Sequence, residues 1–298
     1  LKSLGHCLYN VTRSKTGNNL LQVSYGDFTS EFINNHRIEV IIHLAGKAHD
    51  LKNTSTANEY YEVNTELTKK VYDIFRLSNA RQFYFMSTVK AVADSANNPL
   101  SEDTRANPIT VYGKSKYAAE EYLMAHRNNN QQVYILRPCM IHGNGNKGNL
   151  NLLYGYVRRN LPWPLASYDN KRSFLYIDNL CFVIGKMIEK RTIIPGIYNV
   201  ADSDSLSTNQ LIAIMSTELG KRPFFLYVPR VIVETFASVG TVLKLPFNKE
   251  RVDKLTENYV VNNNKLLNAI GEQLPFTITD GIRLTIKSFK EKHNNLKL

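Results

Sequence analysis

The sequence predicts an α/β protein built on a doubly wound, mainly parallel sheet, and three observations predict it. Short apolar runs alternate with helix-like stretches from residue 7 to about residue 136, a spacing that suits strand–helix–strand units. The run Val40-Ile41-Ile42-His43-Leu44-Ala45 is continuously apolar apart from His43 and closes on Gly46, as a strand covered on both faces does. Gly46, Thr88 and Arg137 all follow predicted strands, and ligands of such sheets sit outside the carboxyl ends of the strands.

Taken in order, residues 1–4 read as the end of a helix and Gly5-His6 as its stop. Residues 7–12 and 21–24 read as strands, and 32–36 as a short helix. A strand over 40–45 comes next. Residues 60–78 carry helical spacing through Val63, Leu67, Val71, Ile74 and Phe75. A strand at 83–86 ends in Ser87-Thr88, and 91–110 is a polar loop. Tyr112 opens a helix to about residue 128, and 133–136 is a strand leading to Arg137-Pro138. Beyond residue 146 the pattern loosens. Helices are expected at 149–159, 179–190 and 208–219, strands at 172–177 and 196–200, and helix and loop thereafter.

With 298 residues, 43% of them hydrophobic and 21% charged, the chain suits one large domain or two intimate ones. Three cysteines, Cys7, Cys139 and Cys181, stand far apart with no C-x-x-C, which argues against a disulfide framework or a zinc site and for a reducing cytoplasm. The net charge of +11 permits nucleic acid or an anionic membrane as partners and equally suits ligands rich in phosphate. No zinc-finger or RNA-binding signature is present, so no nucleic-acid partner is expected. The most apolar run, 228–245, is broken by Arg230, Glu234 and Lys244. It reads as a half-buried helix, with no stable membrane insertion.

The chemistry centres on Val111-Tyr112-Gly113-Lys114-Ser115-Lys116, with Ser87-Thr88 upstream. Residues four apart share a helix face, so the Tyr112 phenol and the Lys116 ammonium can converge on one ligand. A free phenol has a pKa of about 10 and exchanges protons poorly near neutrality. An ammonium ~4 Å away at an effective dielectric of ~20 contributes about 4 kcal/mol before desolvation, enough to bring the phenol toward neutral pH. A Thr88 hydroxyl on the reacting oxygen would complete the site. Gly143-x-Gly145-x-x-Gly148, with Asp169 further on, matches a dinucleotide fingerprint literally, but residues 138–142 separate it from the preceding strand. It reads as an edge of the substrate pocket.

With those residues in view, the chain resembles the extended short-chain dehydrogenases/reductases, the NAD-dependent epimerase/dehydratase family of nucleotide-sugar enzymes. The resemblance rests on motifs in family order: Gly26-Asp27-Phe28, His43-Leu44-Ala45-Gly46, Val63-Asn64-Thr65, Phe83-x-x-Met86-Ser87-Thr88, Tyr112-x-x-x-Lys116, Leu136-Arg137-Pro138, Arg172-Ser173-Phe174-Leu175-Tyr176-Ile177 and Asn263-Asn264-Lys265-Leu266. It implies a Rossmann-type dinucleotide domain over 1–145 plus about 174–202. A smaller, mixed nucleotide-sugar domain would take 146–173 plus about 203–298.

It implies that Thr88 and Tyr112 meet the sugar C4 oxygen and that Lys116 holds the nicotinamide ribose. Asp27 and Phe28 would flank adenine. Leu44, Ala45 and Gly46 would line the dinucleotide, with Arg137 near it, while Arg172 and Arg251 would face the diphosphate of a UDP-sugar. Asp27 also reads as a turn residue, Asn64 as a cap or brace, and Arg172 as a surface arginine. The family opens with a strand and a Gly-x-x-Gly-x-x-Gly turn, and this sequence starts after that turn. An incomplete sheet and impaired dinucleotide binding are therefore expected from these residues alone. Members are often homodimers.

Family dehydratases carry an acid pair after the hydroxyl residue, where this chain has Val89-Lys90, so dehydration is not expected. Residues 142–180 are similar to a bacterial branch that reduces UDP-4-keto-6-deoxy-N-acetylhexosamines for surface polysaccharide. Arg13-Ser14-Lys15 would suit a 2′-phosphate, hence NADP, and also reads as solvated loop charge. A 4-epimerase with tightly held NAD is the alternative, and a non-catalytic sensor or scaffold of the same fold the second.

Overall fold

The computed structural model describes residues 1, 5–13, 21–48, 56–96, 98–146, 149–245 and 247–295. The helix end expected at 1–4, together with Ser14, Lys15, Lys147 and Gly148, lies outside or largely outside them.

Four parallel strands form the main sheet in the order β3 (Val40–His43), β4 (Gln82–Met86), β5 (Gln132–Pro138) and β8 (Gly196–Val200). Its register pairs Ile41 with Phe83, Phe83 with Val133, and Leu136 with Tyr198, so the carboxyl ends finish together. Side chains alternate across these strands. Phe83, Phe85, Val133 and Ile135 join one buried cluster with Ile33, Val71, Phe75 and Leu123, from α1 (Ser30–Asn35), α3 (Leu67–Arg76) and α4 (Val111–Ala125). Tyr84, Tyr134 and Leu136 join another with Val183, Met187 and Leu266, from α6 (Ile177–Glu189) and α10 (Asn264–Ile270). Apolar runs with no polar alternation are the consequence of helices on both faces.

A two-stranded parallel sheet, β1 (Asn10–Thr12) and β2 (Gln22–Ser24), stands apart from the main one. A cavity of about 1300 Å³ lies between, lined from one side by residues 6–12 and from the other by residues 36–45. Among the described residues, no strand lies between β2 and β3.

A third buried cluster draws on Leu150 to Ala166, Phe174 and residues 206–289. It includes α5 (Asn149–Arg158), α7 (Thr208–Glu218), α8 (Arg230–Val242), α9 (Lys249–Thr256) and α11 (Ile278–Asn295). Its small mixed sheet orders β6 (Met140–His142), β7 (Arg172–Tyr176) and β9 (Ser205–Leu206). Strand β6 corrects one expectation: a strand does run directly into Gly143. It belongs to the small sheet, and a Cβ at Gly143 would lie 2.4 Å from the Ile177 side chain, so this glycine serves close packing.

Two contacts bring α4 against the end of β4. A Cβ at Gly113 would stand 2.3 Å from the Lys90 carbonyl oxygen, a distance only glycine tolerates. Asp94 accepts from the backbone N–H of Ile109 and Thr110 and from the Thr110 hydroxyl at 2.7, 2.9 and 2.9 Å. Thr110 in turn caps α4 by accepting from Gly113 N–H. Burial pushes the Asp94 carboxyl up, but the hydrogen bonds from Thr110 and Ile109 and the nearby Lys90 outweigh it and hold the carboxyl below its ordinary value.

A depressed carboxyl contributes stability above its unfolded pKa and loses it as pH falls through the folded value. Asp94→Ala should therefore lower stability near pH 7 by roughly 1.5–3 kcal/mol, the worth of hydrogen bonds to a charged acceptor. The gap from wild type should close as pH drops below about 3.9. Thermal denaturation of both proteins across pH checks it, and a gap that is constant with pH would refute the assignment.

Candidate active site

Thr88, Tyr112 and Lys116 converge at the carboxyl ends of β3 and β4. Thr88 is buried, 7% exposed, and caps a single 3-10 turn, Val89–Ala91, by accepting from Lys90 N–H. Its side chain stands beside the Tyr112 phenol and favours the phenol's ionised form. Tyr112 is the second residue of α4, half-buried, with the Tyr60 ring 6.5 Å away between centroids. Tyr60 belongs to α2 (Ala57–Tyr61).

Lys116 is 3% exposed and donates to the Met86 carbonyl at 2.8 Å. Its Nζ lies 4.7 Å from the Phe85 ring centroid. A Cβ at Gly46 would fall 2.8 Å from this Nζ and 3.2 Å from Asn64 Oδ1. The bare backbone of Gly46 beside a buried ammonium is a cradle that fits close approach by a hydroxyl-bearing ligand. Leu44 and Gly46 are exposed next to it, and Leu44 and Ala45 line the large cavity.

The expected priming of the phenol by Lys116 is corrected here. Burial pushes the Tyr112 phenol up, Thr88 opposes this, and Tyr60 adds to it. Burial pushes Lys116 itself down to about 8, partly offset by Glu120. The ammonium runs to Met86 and Gly46, and the phenol lies beside Thr88.

Under the site lies a buried network that the sequence reading missed. Glu120, one turn after Lys116, accepts from the Ser87 hydroxyl and from Arg137 Nε and Nη2, the last at 2.5 Å. Both charged side chains are at most 4% exposed, and Arg137 Nη1 keeps no partner. The spacing Lys116 to Glu120 was the available signal. Asn64, in a π-helical turn (Glu62–Glu66), donates to Ser115 Oγ and brackets Lys47, accepting from its N–H and donating to its carbonyl. It is the brace it was expected to be. His43 is buried beside Thr68 and pushed down to about 4 by burial and Lys116, hence neutral.

The description of the NAD dependent epimerase/dehydratase family fits this arrangement, and the model of that family matches residues 1–201. The chain belongs to it. The "UDP-glucose 4-epimerase" of Vibrio cholerae is 29% identical over 261 residues, 86% of this chain and 78% of that protein. The "N-acetyl-alpha-D-glucosaminyl-diphospho-ditrans,octacis-undecaprenol 4-epimerase" of Escherichia coli O157:H7 is 25% identical over 84% of this chain and 77% of its own. The fold matches the UDP-N-acetylglucosamine 4-epimerase from Bacillus cereus with a TM-score of 0.73 at 19% identity, covering 96% of this chain and 91% of that one. It matches MoeE5 in complex with UDP-glucuronic acid and NAD at 0.73 and 16% identity, covering 98% and 93%.

Within this family frame the remaining expected site residues fall as follows. Arg13 is exposed just after β1. Asp27 is exposed and accepts from Ser24 Oγ at 2.8 Å, closing a turn. Phe28 is buried with Val23 and Ile33 and borders the cavity. Arg137 is committed to Glu120. Arg172 is held by the Lys254 carbonyl and lies 3.3 Å from Glu257, its side chain 17% exposed. Arg251 is exposed on α9.

Removing Glu120 alone strands a buried guanidinium, so Glu120→Gln should cost about 3–5 kcal/mol. Glu120→Leu with Arg137→Met should recover most of that loss. Both variants should move the Lys116 ammonium pKa below about 8, because the carboxylate that raises it is gone. Denaturant titration and NMR of the lysine Nζ test the two parts, and an unmoved Lys116 would refute the coupling.

Proposed function

We propose that the protein moves hydride to C4 of a UDP-linked sugar, as a nicotinamide-dependent 4-keto reductase. The observation that carries this reading is the gathering of Tyr112, Thr88 and the buried Lys116 ammonium at the carboxyl ends of β3 and β4. A phenol pushed up by burial is protonated at neutral pH, so Tyr112 is poised as a general acid. Reduction of a carbonyl needs that: hydride at carbon, a proton at oxygen. Thr88 would hold the reacting oxygen against the phenol and keep it in line.

A bound nicotinamide dinucleotide supplies the hydride. Membership of an NAD-dependent family and the NAD bound in structural neighbours such as MoeE5 support that cofactor. An ammonium has three donors, and Lys116 uses one on Met86, leaving two for ribose hydroxyls. Leu44, Ala45 and Gly46 would form the wall along it, Asp27 and Phe28 its adenine end. Arg13 favours a 2′-phosphate, hence NADP over NAD. Arg137 would act from beneath, by positioning Glu120 and through it Lys116. Arg172 and Arg251, on the side of the small sheet and α9, would read the diphosphate. Val89 and Lys90 after Thr88 leave no acid pair for a dehydratase.

The names of the Vibrio cholerae and Escherichia coli relatives favour a second reading, 4-epimerisation. There Tyr112 would take the proton as hydride leaves C4 and return it after the sugar turns over. NADPH consumption by purified protein with a UDP-4-keto sugar supports the reductase. Interconversion of C4 epimers without net cofactor use assigns the epimerase. No turnover of either kind sinks both and leaves a sensor or scaffold.

Tyr112→Phe should reduce turnover at least ~10²-fold in steady-state assays, the scale of acid–base catalysis. Near-wild-type activity would remove Tyr112 from the chemistry. Thr88→Val should lower kcat more than it raises KM, because its hydrogen bond matters most as charge develops on the oxygen. A change confined to KM would make Thr88 a binding residue only.

A further inference from the structure

Helix α8 turns apolar side chains in both directions. It buries Val233, Ala237 and Gly240, spaced four and three apart, against the C-terminal cluster. On the opposite face Val231, Ile232, Phe236, Val239, Val242 and Leu243 are 74%, 45%, 66%, 50%, 80% and 62% exposed. At about 100° per residue these six share one arc, where a surface helix ordinarily carries charge. Of the 21 exposed large hydrophobic side chains among the described residues, 11 lie between residues 224 and 247. Concentration of that kind marks an interaction surface.

The charge around this face is one-sided. Residues 221–254 hold seven Lys and Arg against three Asp and Glu, and Arg222, Arg230, Lys244 and Lys249 are all exposed. We propose that α8 and its flanks are a docking surface for an anionic lipid bilayer, with the helix lying in the headgroup plane. Phe236 and its neighbours would enter the acyl boundary, and the flanking cations would meet lipid phosphates. A second copy of the chain is a poor occupant, because pairing this face with itself would set cations against cations. Spanning is excluded for this helix: its 13 residues are too few, and no helix among the described residues is long and apolar enough to cross a membrane. The face lies outside the Thr88–Tyr112–Lys116 site, so the proposal stands independently of the reaction assigned above.

Co-sedimentation of the full chain with vesicles tests it. Wild type should bind vesicles of equal phosphatidylglycerol and phosphatidylcholine at least roughly tenfold more tightly than phosphatidylcholine alone, and high salt should erase the difference. Phe236→Glu with Val239→Glu, on the exposed face, should weaken anionic-vesicle binding at least roughly tenfold while leaving the circular dichroism melt in place. Lys244→Glu with Lys249→Glu should do the same without touching an apolar side chain. Wild type that fails to bind anionic vesicles overturns the proposal, as does undiminished binding by both double variants. A wild-type dimer in light scattering that becomes monomeric in Phe236→Glu with Val239→Glu also overturns it, by assigning the face to a second copy. Retention of an acidic protein by the same face, with no vesicle binding, would assign it to a protein partner.

Discussion

The start of α4 touches the carbonyl of Lys90 at Gly113, with no room for a side chain. Everything at the site follows from that approach. The loop between Lys90 and Gly113 is long, yet Asp94 at its start gathers the backbone of Ile109 and Thr110 at its end. Both ends of the loop are therefore fixed to one turn. Thr88 opens that turn and Tyr112 follows the pinned end, so the two residues are held near one another without either having to search. Preorganisation of this kind contributes to rate because little is reorganised when charge appears.

Burial dominates the electrostatics. A lysine four residues from a tyrosine would lower the phenol's pKa in a medium where the two charges faced each other. Here both groups sit in dry surroundings, and desolvation moves each toward its neutral form: the phenol up, the ammonium down. What keeps the ammonium charged over part of the neutral range is Glu120, itself balanced by Arg137. Three buried charges thus share one network under the strand ends. The net effect is a proton donor above and a cation held in place below.

The sheet was legible because buried strands between helices leave unbroken apolar runs, and the alternation of Phe83 and Phe85 with Tyr84 appears in the structure as two separate cores. That Tyr112 and Lys116 stand on one helix was legible through periodicity, and the place of Thr88 after a strand through the apolar run before it. Periodicity could not show where a long side chain ends, so the route of Lys116 to Met86 was hidden. Glu120 and Arg137 were hidden for a related reason: they are distant in sequence, and only the packing of α4 on β5 makes them partners. Two-residue β9 and three-residue β6 lack the length to show a period of two. In α8 apolar residues spread over more than one face of the helix, so the covered face could be told from the bare one only in the folded chain.

The C-terminal elements reach the site through Tyr259. Its backbone pairs with Arg172 at the start of β7, its hydroxyl donates to the Ala93 carbonyl at 2.6 Å, and Lys90 lies over its ring. Arg172 in turn is fastened to the end of α9, and α9 packs on α8. The turn that carries Thr88 is therefore supported from two sides, by α4 through Gly113 and by the small-sheet lobe through Tyr259. A substrate reaching from Thr88 toward Arg172 would rest on both. Its sugar would lie where the first support fixes geometry, and its diphosphate where the second brings the cations of α9. Division of labour along one ligand requires such a double anchoring, since a lobe free to drift from the turn would uncouple recognition of the carrier from the proton at the sugar oxygen.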